Sequence, residues 1–317
     1  MNEKLPTVYA GVDVAKATLQ LHLHGRQHCL DNTPKGCAQL LQQVQAVGQV
    51  QIICEATGGY EKGLLAACHV AAQPVSRLNP AQVRHFARAQ GQRAKNDPLD
   101  AAVLTDYGTA LQPAATPPTD PAHEALRELV QWRDHLQEQL TRACQTLEHG
   151  VPAFVARKQK QLVAHLEQQL QAVAREQTAA LKRAPQLQAQ VQALIQLDGV
   201  STLTALSVLS RMPELGTLDR QATAALAGLA PWVRQSGPWE GQRHIGGGRA
   251  LVRRSLYMPA VVLARMKHTP LGKFYARLRA AGKPAKVALT AVMRKLLLQM
   301  NRVLKDLANQ NQTLQTA

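Results

Sequence analysis

A strict alternation of apolar and polar residues near the N-terminus predicts a half-buried strand. Leu19, Leu21 and Leu23 alternate with polar residues, and a β-rich run from Thr7 to Val14 precedes them. A period of two places successive side chains on opposite faces, so the two runs predict a hairpin. Short apolar runs at 50–54 and from position 74, separated by helical patterns, add further strands. Strands that alternate with helices predict an α/β layer with a partly parallel sheet.

Heptad spacing in the middle of the chain predicts two long helices. Apolar residues recur at intervals of three and four over Leu126–Leu147 and again over Val163–Ala180, with a break at Gly150–Pro152. Such a pattern is typical of an antiparallel pair within one chain or of a coiled-coil contact between subunits. Arg133 and Gln177 interrupt the two seams, so both alternatives stay open.

The C-terminal half predicts helices around a glycine-rich loop at 232–248. Residues 194–212 resemble a helix-hairpin-helix element, with Gly199 in the turn and Ser201 where a second glycine is usual. A plain helical turn is the alternative. The predicted fold class is thus α/β plus all-α. We expect an α/β domain at 1–111, a Pro-rich linker at 112–120, coiled-coil helices at 121–192, a basic helical domain at 193–307 and a polar tail at 308–317.

Composition points to a nucleic-acid partner. Lys and Arg number 37 against 21 acids, a formal charge of +16. From Trp232 to the C-terminus there are sixteen Lys and Arg against two acids, Glu240 and Asp306. Clustered positive charge is the footprint of phosphate binding, although a membrane-surface patch or a solubility charge would look alike. Five cysteines without a C-x-x-C pair predict a reduced cytoplasmic protein, and no apolar run approaches the ~18 residues of a membrane span.

Two aspartates follow a cationic segment. No acidic side chain occurs from Arg77 to Asn96, and then Asp97 and Asp100 arrive on either side of Pro98. Proline suits the first position of a helix, which predicts Asp97 at the N-cap and Asp100 one turn later. Like charges at a helix start beside a cationic approach suggest ligands for a divalent cation that faces a polyanion.

Two further acids stand at the ends of predicted strands. Asp13 ends the first strand and Glu55 follows the strand at 50–54. Because ligands of such sheets gather at the carboxyl ends of strands, the two acids are expected side by side. Spacing alone leaves a metal site and a set of surface acids about equally well supported.

With these residues in hand, the sequence resembles the DEDD transposases of the insertion sequence 110 family, recombinases related to Piv-type invertases, and most of all the insertion sequence 1111 subgroup. The resemblance covers nearly the whole chain. It rests on five motifs in order: Gly11-Val12-Asp13-Val14-Ala15-Lys16, Cys54-Glu55-Ala56-Thr57-Gly58, Lys95-Asn96-Asp97-Pro98-Leu99-Asp100-Ala101, Ser236-Gly237, and Ile245-Gly246-Gly247-Gly248-Arg249 with Val252–Met258.

The resemblance implies a RuvC-like (RNase H-type) N-terminal domain, coiled-coil helices and a C-terminal transposase domain. It implies a Mg²⁺-binding tetrad of Asp13, Glu55, Asp97 and Asp100, two metal ions, and Ser236 as nucleophile. It also implies donor and target DNA, a structured guide RNA, and a dimer that pairs to a tetramer on DNA. The expected location is the bacterial cytoplasm, at the nucleoid during action. Candidate nucleic-acid contacts are Arg84, Arg88, Arg93, Lys95, Arg234, Arg243, Gly246, Gly247, Gly248, Arg249, Arg253, Arg254, Lys273 and Lys286.

Two other functions remain open at this point. A RuvC-like nuclease would use the same tetrad with water as the nucleophile and would not need Ser236. A basic nucleic-acid-binding protein without catalysis would need only the C-terminal charge.

Overall fold

The cores of the computed structural model divide the chain into two units, Met1–Pro118 and Thr119–Ala317. The backbone is described at residues 8–91, 97–232, 235–236, 239–240 and 244–316, and the side chains at 8–91, 100–232 and 244–310. The boundary falls inside the proline-rich stretch 112–120. The finer division of the C-terminal unit that the sequence suggests stays a prediction.

A five-stranded mixed sheet forms the centre of the first unit. Its strand order is β3-β2-β1-β4-β5. Strands β1, β2 and β3 are antiparallel neighbours, while β4 and β5 run parallel to β1. The elements are β1 (Val8–Val14), β2 (Thr18–Leu23), β3 (Arg26–Asp31), α1 (Pro34–Gln45), β4 (Val50–Glu55), α2 (Lys62–Val70), β5 (Val75–Leu78), α3 (Pro80–Ala89) and α4 (Asp97–Leu111).

Helices cover both faces of this sheet, which explains why β1 and β4 are apolar on both sides. On one face Val12, Leu21 and Ile52 pack with Leu40 of α1 and Leu64 of α2. The other face forms a smaller cluster with α3 and α4, in which the buried members are Ile53, Leu78, Val83, Val103, Leu104 and Tyr107. The second face therefore leaves room for polar groups at the carboxyl ends of the strands.

The proline-rich segment is hydrogen-bonded to the edge of the sheet at β5. The amide of Thr116 donates to the carbonyl of Val75 at 2.7 Å, and the amide of Arg77 donates to the Thr116 hydroxyl at 2.9 Å. The hydroxyl of Ser76 donates to the carbonyl of Ala114 at 2.8 Å. Residues 113–116 thus cap an edge strand that would otherwise expose unpaired backbone groups. The first part of the expected linker is a bound segment of the first unit.

Two long helices open the second unit: α5 (Pro121–Glu148) and α6 (Ala153–Arg183). The four-residue connection makes them antiparallel neighbours, and they pack on each other through Leu136, Ala143, Leu166 and Val173. The heptad pattern therefore has a partner inside the chain. Gln177, which interrupts the second seam, is buried at 2% exposure.

The remaining helices share one core with the start of α5. Leu126 and Val130 pack there with Leu194, Leu209 and Leu256. The elements are α7 (Pro185–Ile195), α8 (Thr202–Arg211), α9 (Arg220–Leu226), β6 (Pro231–Trp232), β7 (Gln235–Ser236), β8 (Trp239–Glu240), β9 (His244–Ile245), α10 (Ala250–Arg265), α11 (Pro270–Ala280) and α12 (Ala285–Thr316). Helix α12 includes residues 308–316 of the segment that the sequence suggests as a polar tail.

The helix-hairpin-helix-like turn joins α7 to α8. Gly199 has φ +74° and abuts Leu263 of α10, a conformation that favours glycine. The Ser201 hydroxyl accepts the amide of Thr204 and so caps α8. The Ser201 side chain thus occupies the Thr204 amide, which a glycine at position 201 would leave without this side-chain acceptor. Phosphate binding by this turn stays a prediction.

Candidate active site

Asp13 and Glu55 lie at the carboxyl ends of neighbouring parallel strands. Val12 of β1 pairs with Cys54 of β4, so the next residue of each strand is an acid. Two residues before Asp13 and Glu55, Gly11 pairs with Ile53, and Ile53 belongs to the cluster that faces α3 and α4. Alternation along a strand therefore turns both carboxylates to the face that α4 covers.

Helix α4 packs unusually close to β1. The amide of Gly11 donates to the Thr105 hydroxyl at 2.9 Å, and Nδ1 of His22 on β2 lies 2.9 Å from the same oxygen. A Cβ on Gly11 would collide with the carbonyl oxygen of Ala101 and lie 2.7 Å from the amide of Thr105. Glycine is thus required here because helix backbone occupies the space of a side chain.

A second glycine, Gly108, lies on α4 itself, two turns after Ala101, and also allows a close approach to the sheet. A Cβ on Gly108 would lie 2.7 Å from the Tyr9 ring and 2.8 Å from Ile53. The two close approaches fix the height and the direction of α4 on the sheet. Since Ala101 touches Gly11, the adjacent Asp100 is held in the first turn above the end of β1, where its side chain is half-buried. Asp97 begins the same helix.

Two side chains tie together the loops that follow β1 and β4. The side-chain amide of Asn32 donates to the carbonyl of Ala15 at 2.8 Å and to that of Tyr60 at 3.2 Å. The buried carboxylate of Glu61 accepts the amides of Thr57 at 3.1 Å and of Gly59 at 2.9 Å. These bonds hold the backbone immediately beyond Asp13 and Glu55.

In the second unit, four short strands present the segment that carries Ser236. Strand β6 pairs with β9, and β7 pairs with β8 so that Ser236 lies opposite Trp239. The indole N–H of Trp232 donates to the carbonyl of Gly246 at 3.2 Å and closes the base of this segment. The structure thereby places the Ser236 backbone in a two-residue strand that pairs antiparallel with β8.

The glycine-rich turn after β9 packs on a second glycine. Gly247 and Gly248 have φ of +63° and +57°. A Cβ on Gly248 would clash with the amide of Gly228 and lie 2.6 Å from the carbonyl of Leu226. Gly248 therefore serves backbone packing. Gly246 has open space around its Cα, and a Cβ on Gly247 would meet only the Trp232 ring at 3.9 Å.

Three arginines after this turn contact protein groups. The Arg249 guanidinium donates to both carboxylate oxygens of Glu214 at 2.7 Å. Arg253 donates to the carbonyls of Ala227 at 3.0 Å and Gly247 at 2.5 Å. Arg254 donates to Glu138 at 2.9 Å, a bond that lowers the pKa of that carboxyl. The contacts of Arg249 and Arg253 favour positioning of the turn, whereas Arg254 joins α10 to α5. Contacts of the three arginines with nucleic acid stay a prediction.

Comparison with known proteins gives these two regions a family. A model of DEDD transposases of the IS110 type, described as a transposase, matches residues 10–152. A second model, described as the transposase IS116/IS110/IS902 family, matches residues 191–276. The chain belongs to the IS110 family of transposases. The resemblance inferred from the motifs is thereby confirmed.

Two curated relatives of this IS110-family chain match over almost its whole length. They are the pilin gene-inverting proteins of Moraxella lacunata and Moraxella bovis. Each is 27% identical over 300 residues, which cover 91% of this chain and 93% of the relative. Within the described part of the chain, none of the helices combines the length and apolar character needed to span a bilayer.

The structure describes the side chains of three of the five residues expected in the transposase site. Asp13 and Glu55 follow paired residues at the ends of β1 and β4, and Asp100 lies in the first turn of α4, whereas the side chains of Asp97 and Ser236 lie outside the described part. Among described side chains, no three of His, Cys, Asp or Glu are close enough to hold a metal ion. On α3, Arg84 and Arg88 are exposed one turn apart, and Lys273 and Lys286 are exposed on α11 and α12. Arg93, Lys95, Arg234 and Arg243 lie outside the described residues.

Several positioning residues of this IS110-family fold gave no signal in the sequence. Thr105, Asn32 and Glu61 act through hydrogen bonds to residues between 2 and 94 positions away. His22 occupies a polar position of the alternating strand β2, yet it is half-buried against α4. For Glu61 the sequence does offer a cue, the preceding Thr57-Gly58-Gly59. The backbone amides of such a turn can donate hydrogen bonds to a nearby carboxylate.

Proposed function

We propose that this transposase cuts and rejoins DNA strands with a carboxylate-bound metal site and a serine nucleophile. The observation that carries the proposal is the placement of Asp13 and Glu55 side by side beneath the first turn of α4, which contains Asp100. Carboxylates at strand ends would repel the phosphates of DNA unless bound cations neutralise their charge.

A RuvC-like, RNase H-type fold is the architecture we assign to the first unit. It is supported by the mixed sheet with the order β3-β2-β1-β4-β5 and by helices on both faces. In this assignment Asp13 occupies the central strand. Its backbone is fixed by Gly11, through Thr105, and by Asn32, through Ala15.

Magnesium is the cofactor that fits this donor set. The described carboxylates are hard oxygen ligands at one sheet end, which is the ligand chemistry that Mg²⁺ prefers. Asp13, Glu55, Asp97 and Asp100 would hold it. When bound, a pair of such ions supplies charge neutralisation at a phosphate and activation of the attacking oxygen. The role of the protein is to hold the four carboxylates in place before the phosphate arrives.

Ser236 is the nucleophile in this proposal. Its Oγ attacks a DNA phosphorus and loses its proton, an Oγ–P bond forms, and the P–O bond to the adjacent deoxyribose breaks. The leaving sugar oxygen keeps the electron pair and takes up a proton. The number of phosphoester bonds is unchanged, so a free DNA end can reverse the step and rejoin the strand without ATP. The glycine turn supports this role, because it sets the base of the segment that carries Ser236.

Rejoining is the part of the proposal that the relatives support. The Moraxella proteins are described as inverting a pilin gene. We propose the same class of DNA rearrangement for this chain, with donor and target DNA as substrates. A structured guide RNA and a dimer that pairs to a tetramer on DNA complete the proposal. The net charge of +16 and its concentration after Trp232 support a large nucleic-acid partner.

The metal-site assignment is tested by DNA cleavage with paired variants. Asp13→Asn and Glu55→Gln remove charge at nearly constant volume, and each should abolish Mg²⁺-dependent cleavage while DNA binding persists. Asp106→Asn on the same helix α4 is the matched control and should retain activity. Full cleavage by either site variant would overturn the assignment. The guide RNA is tested separately: site-specific recombination by protein freed of all RNA would exclude it.

A further inference from the structure

A cleft in the second unit lies between the start of α9, α11 and α12. It encloses about 670 Å³ and is lined by Arg220, Phe274, Lys295, Arg302 and Lys305, among others. A neighbouring depression of about 510 Å³ shares Arg220, Phe274 and Lys295 and adds Arg294. The shared residues make the two depressions one continuous groove. None of these residues is among the nucleic-acid contacts expected from the sequence motifs.

Positive charge dominates the groove. Its lining contains five cationic side chains, Arg220, Arg294, Lys295, Arg302 and Lys305, against one carboxylate. That carboxylate belongs to Asp219, which already caps α9 by accepting the amide of Ala222 at 2.7 Å. A second carboxylate, Asp306, lies beside the groove and pairs with Arg302 at 3.6 Å. The groove still carries a net positive charge, which favours the entry of an anion.

The cations are presented in ordered positions by the walls of the groove. Nζ of Lys295 lies 4.4 Å from the centre of the Phe274 ring, a cation–π contact that restrains a long side chain. Asn301, buried at the floor, donates to the carbonyl of Leu218 and accepts the amide of Gly216. These bonds fix the start of α9, which carries Arg220, relative to α12.

The length of the groove matches a stretch of nucleic-acid backbone. Lys295 and Lys305 are ten residues apart on α12, about 15 Å at 1.5 Å per residue. Successive phosphates of one DNA strand rise about 3.4 Å along the helix axis and lie farther apart than that along the strand, so the groove is long enough for more than one of them. Its apolar wall suits the sugar edges that lie between phosphates.

We propose that this groove is a phosphodiester-binding site that grips the backbone of a nucleic-acid strand, separate from the carboxylate site in the first unit. The inference rests on the proposed function only in taking nucleic acid as the partner. The shared chemistry is the phosphodiester, whether it comes from a DNA duplex or from a structured RNA. The site anchors the strand and does not read bases, because its cations are suited to phosphate oxygens.

The test is the salt dependence of binding by full-length protein. Arg220→Gln, Lys295→Gln and Lys305→Gln are combined in one variant. The matched control combines Lys160→Gln, Arg175→Gln and Lys182→Gln, which removes the same charge from exposed positions of α6. Fluorescence anisotropy with a labelled DNA duplex and, separately, with a labelled structured RNA gives the affinity between about 50 and 200 mM salt. Thermal unfolding verifies that each variant is folded.

The groove variant should lose about 0.9 in the slope of log K against log salt for each lost phosphate contact on duplex DNA, about 2.7 in all. The slope of log K against log salt should fall by less than about 0.9 in the α6 control. A loss with DNA alone, with RNA alone or with both supports the site and identifies the source of the backbone. Equal losses in the two triple variants, or no loss with either probe, would overturn it.

A second variant separates the built site from a simple charge effect. Phe274→Leu keeps an apolar wall and the net charge but removes the ring that restrains Lys295. It should weaken binding a few-fold, whereas the wild-type affinity would contradict a built site. Binding needs no catalysis, so the readout is independent of strand cleavage. If the groove variant loses its salt slope while the wild-type protein forms no covalent intermediate with DNA, the groove stands and the recombinase chemistry is refuted.

Discussion

The amide of Gly11 donates to the hydroxyl of Thr105 across 2.9 Å and joins the central strand to the helix that crosses it. Nδ1 of His22 lies at the same distance from that hydroxyl, so β1, β2 and α4 meet at one oxygen. Asp13 follows two residues after Gly11, and Asp100 precedes the Thr105 turn. The separation between Asp13 on β1 and Asp100 on α4 is therefore set by the contact of Gly11 with α4, where there is no room for a side chain at position 11.

Substitution of Gly11 tests this dependence. Gly11→Ala forces a Cβ against the backbone of Ala101 and should displace α4, lowering the free energy of unfolding by about 1–3 kcal/mol. DNA cleavage should fall at least tenfold. Gly63→Ala is the matched control, since its Cβ meets open space on α2 and alanine favours helix. Urea unfolding and cleavage rates measure both effects, and an active Gly11→Ala protein would contradict the close approach.

Glu61 should be needed for the loop beyond Glu55. Glu61→Ala leaves two backbone amides without their acceptor and should cost about 2 kcal/mol of stability or more, with a loss of cleavage. Glu61→Gln keeps one acceptor oxygen and should lose less. Glu167→Ala, at an exposed position of α6, is the control and should stay within about 0.5 kcal/mol. Equal stability of Glu61→Ala and the control would show that the loop holds itself.

Arg249 should act as a structural residue of the glycine turn. Arg249→Lys cannot make the two parallel bonds to Glu214, so stability should fall by about 1 kcal/mol and Ser236-dependent activity should fall with it. Combining it with Glu214→Gln in a double-mutant cycle should show coupling between the two sites. Unchanged stability together with weakened DNA binding would instead identify Arg249 as a direct phosphate contact.

The buried thiols should be unreactive in the folded protein. Burial raises the pKa of Cys54 and of Cys68 from the ordinary 9.0 to about 12, and it also raises that of Cys37. At pH 8 an alkylating reagent should therefore label the exposed Cys29 and Cys144 and no other cysteine. Because the raised pKa means that the folded protein holds the thiol protons of Cys54 and Cys68 more tightly than the unfolded chain does, these protons stabilise the fold fully below pH 9. This stabilisation is lost as the pH rises from 9 to about 12. Rapid native labelling of a third thiol would contradict the burial.

The sequence predicts the periodic part of this fold well. Alternation at Leu19–Leu23 and the heptads of α5 and α6 match the observed elements, because each burial face repeats locally. The pattern does not predict strand β3, because it lies at the sheet edge and its residues, Arg26–Asp31, are mostly polar. Helix α2 begins at Lys62, because Glu61 holds the Thr57–Gly59 turn apart from the helix.

The candidate site is less predictable from sequence than the fold. Strand ends could be located from the apolar runs, which is why Asp13 and Glu55 could be paired. The role of Gly11, Thr105 or Asn32 depends on contacts between distant segments, which no local pattern encodes. Likewise, the basic groove joins Arg220 to α12 residues more than 70 positions away.

The most direct test of the proposed chemistry is detection of a phosphoserine link to DNA. Protein is incubated with Mg²⁺, guide RNA and nicked donor DNA, then denatured, digested and analysed by mass spectrometry. The wild-type protein and Ser255→Ala, a control on α10, should yield a nucleotide adduct on the peptide that contains Ser236. Ser236→Ala should bind DNA normally yet give neither adduct nor strand exchange. Cleavage by Ser236→Ala at the wild-type rate without an adduct would show that water is the nucleophile and would contradict the account.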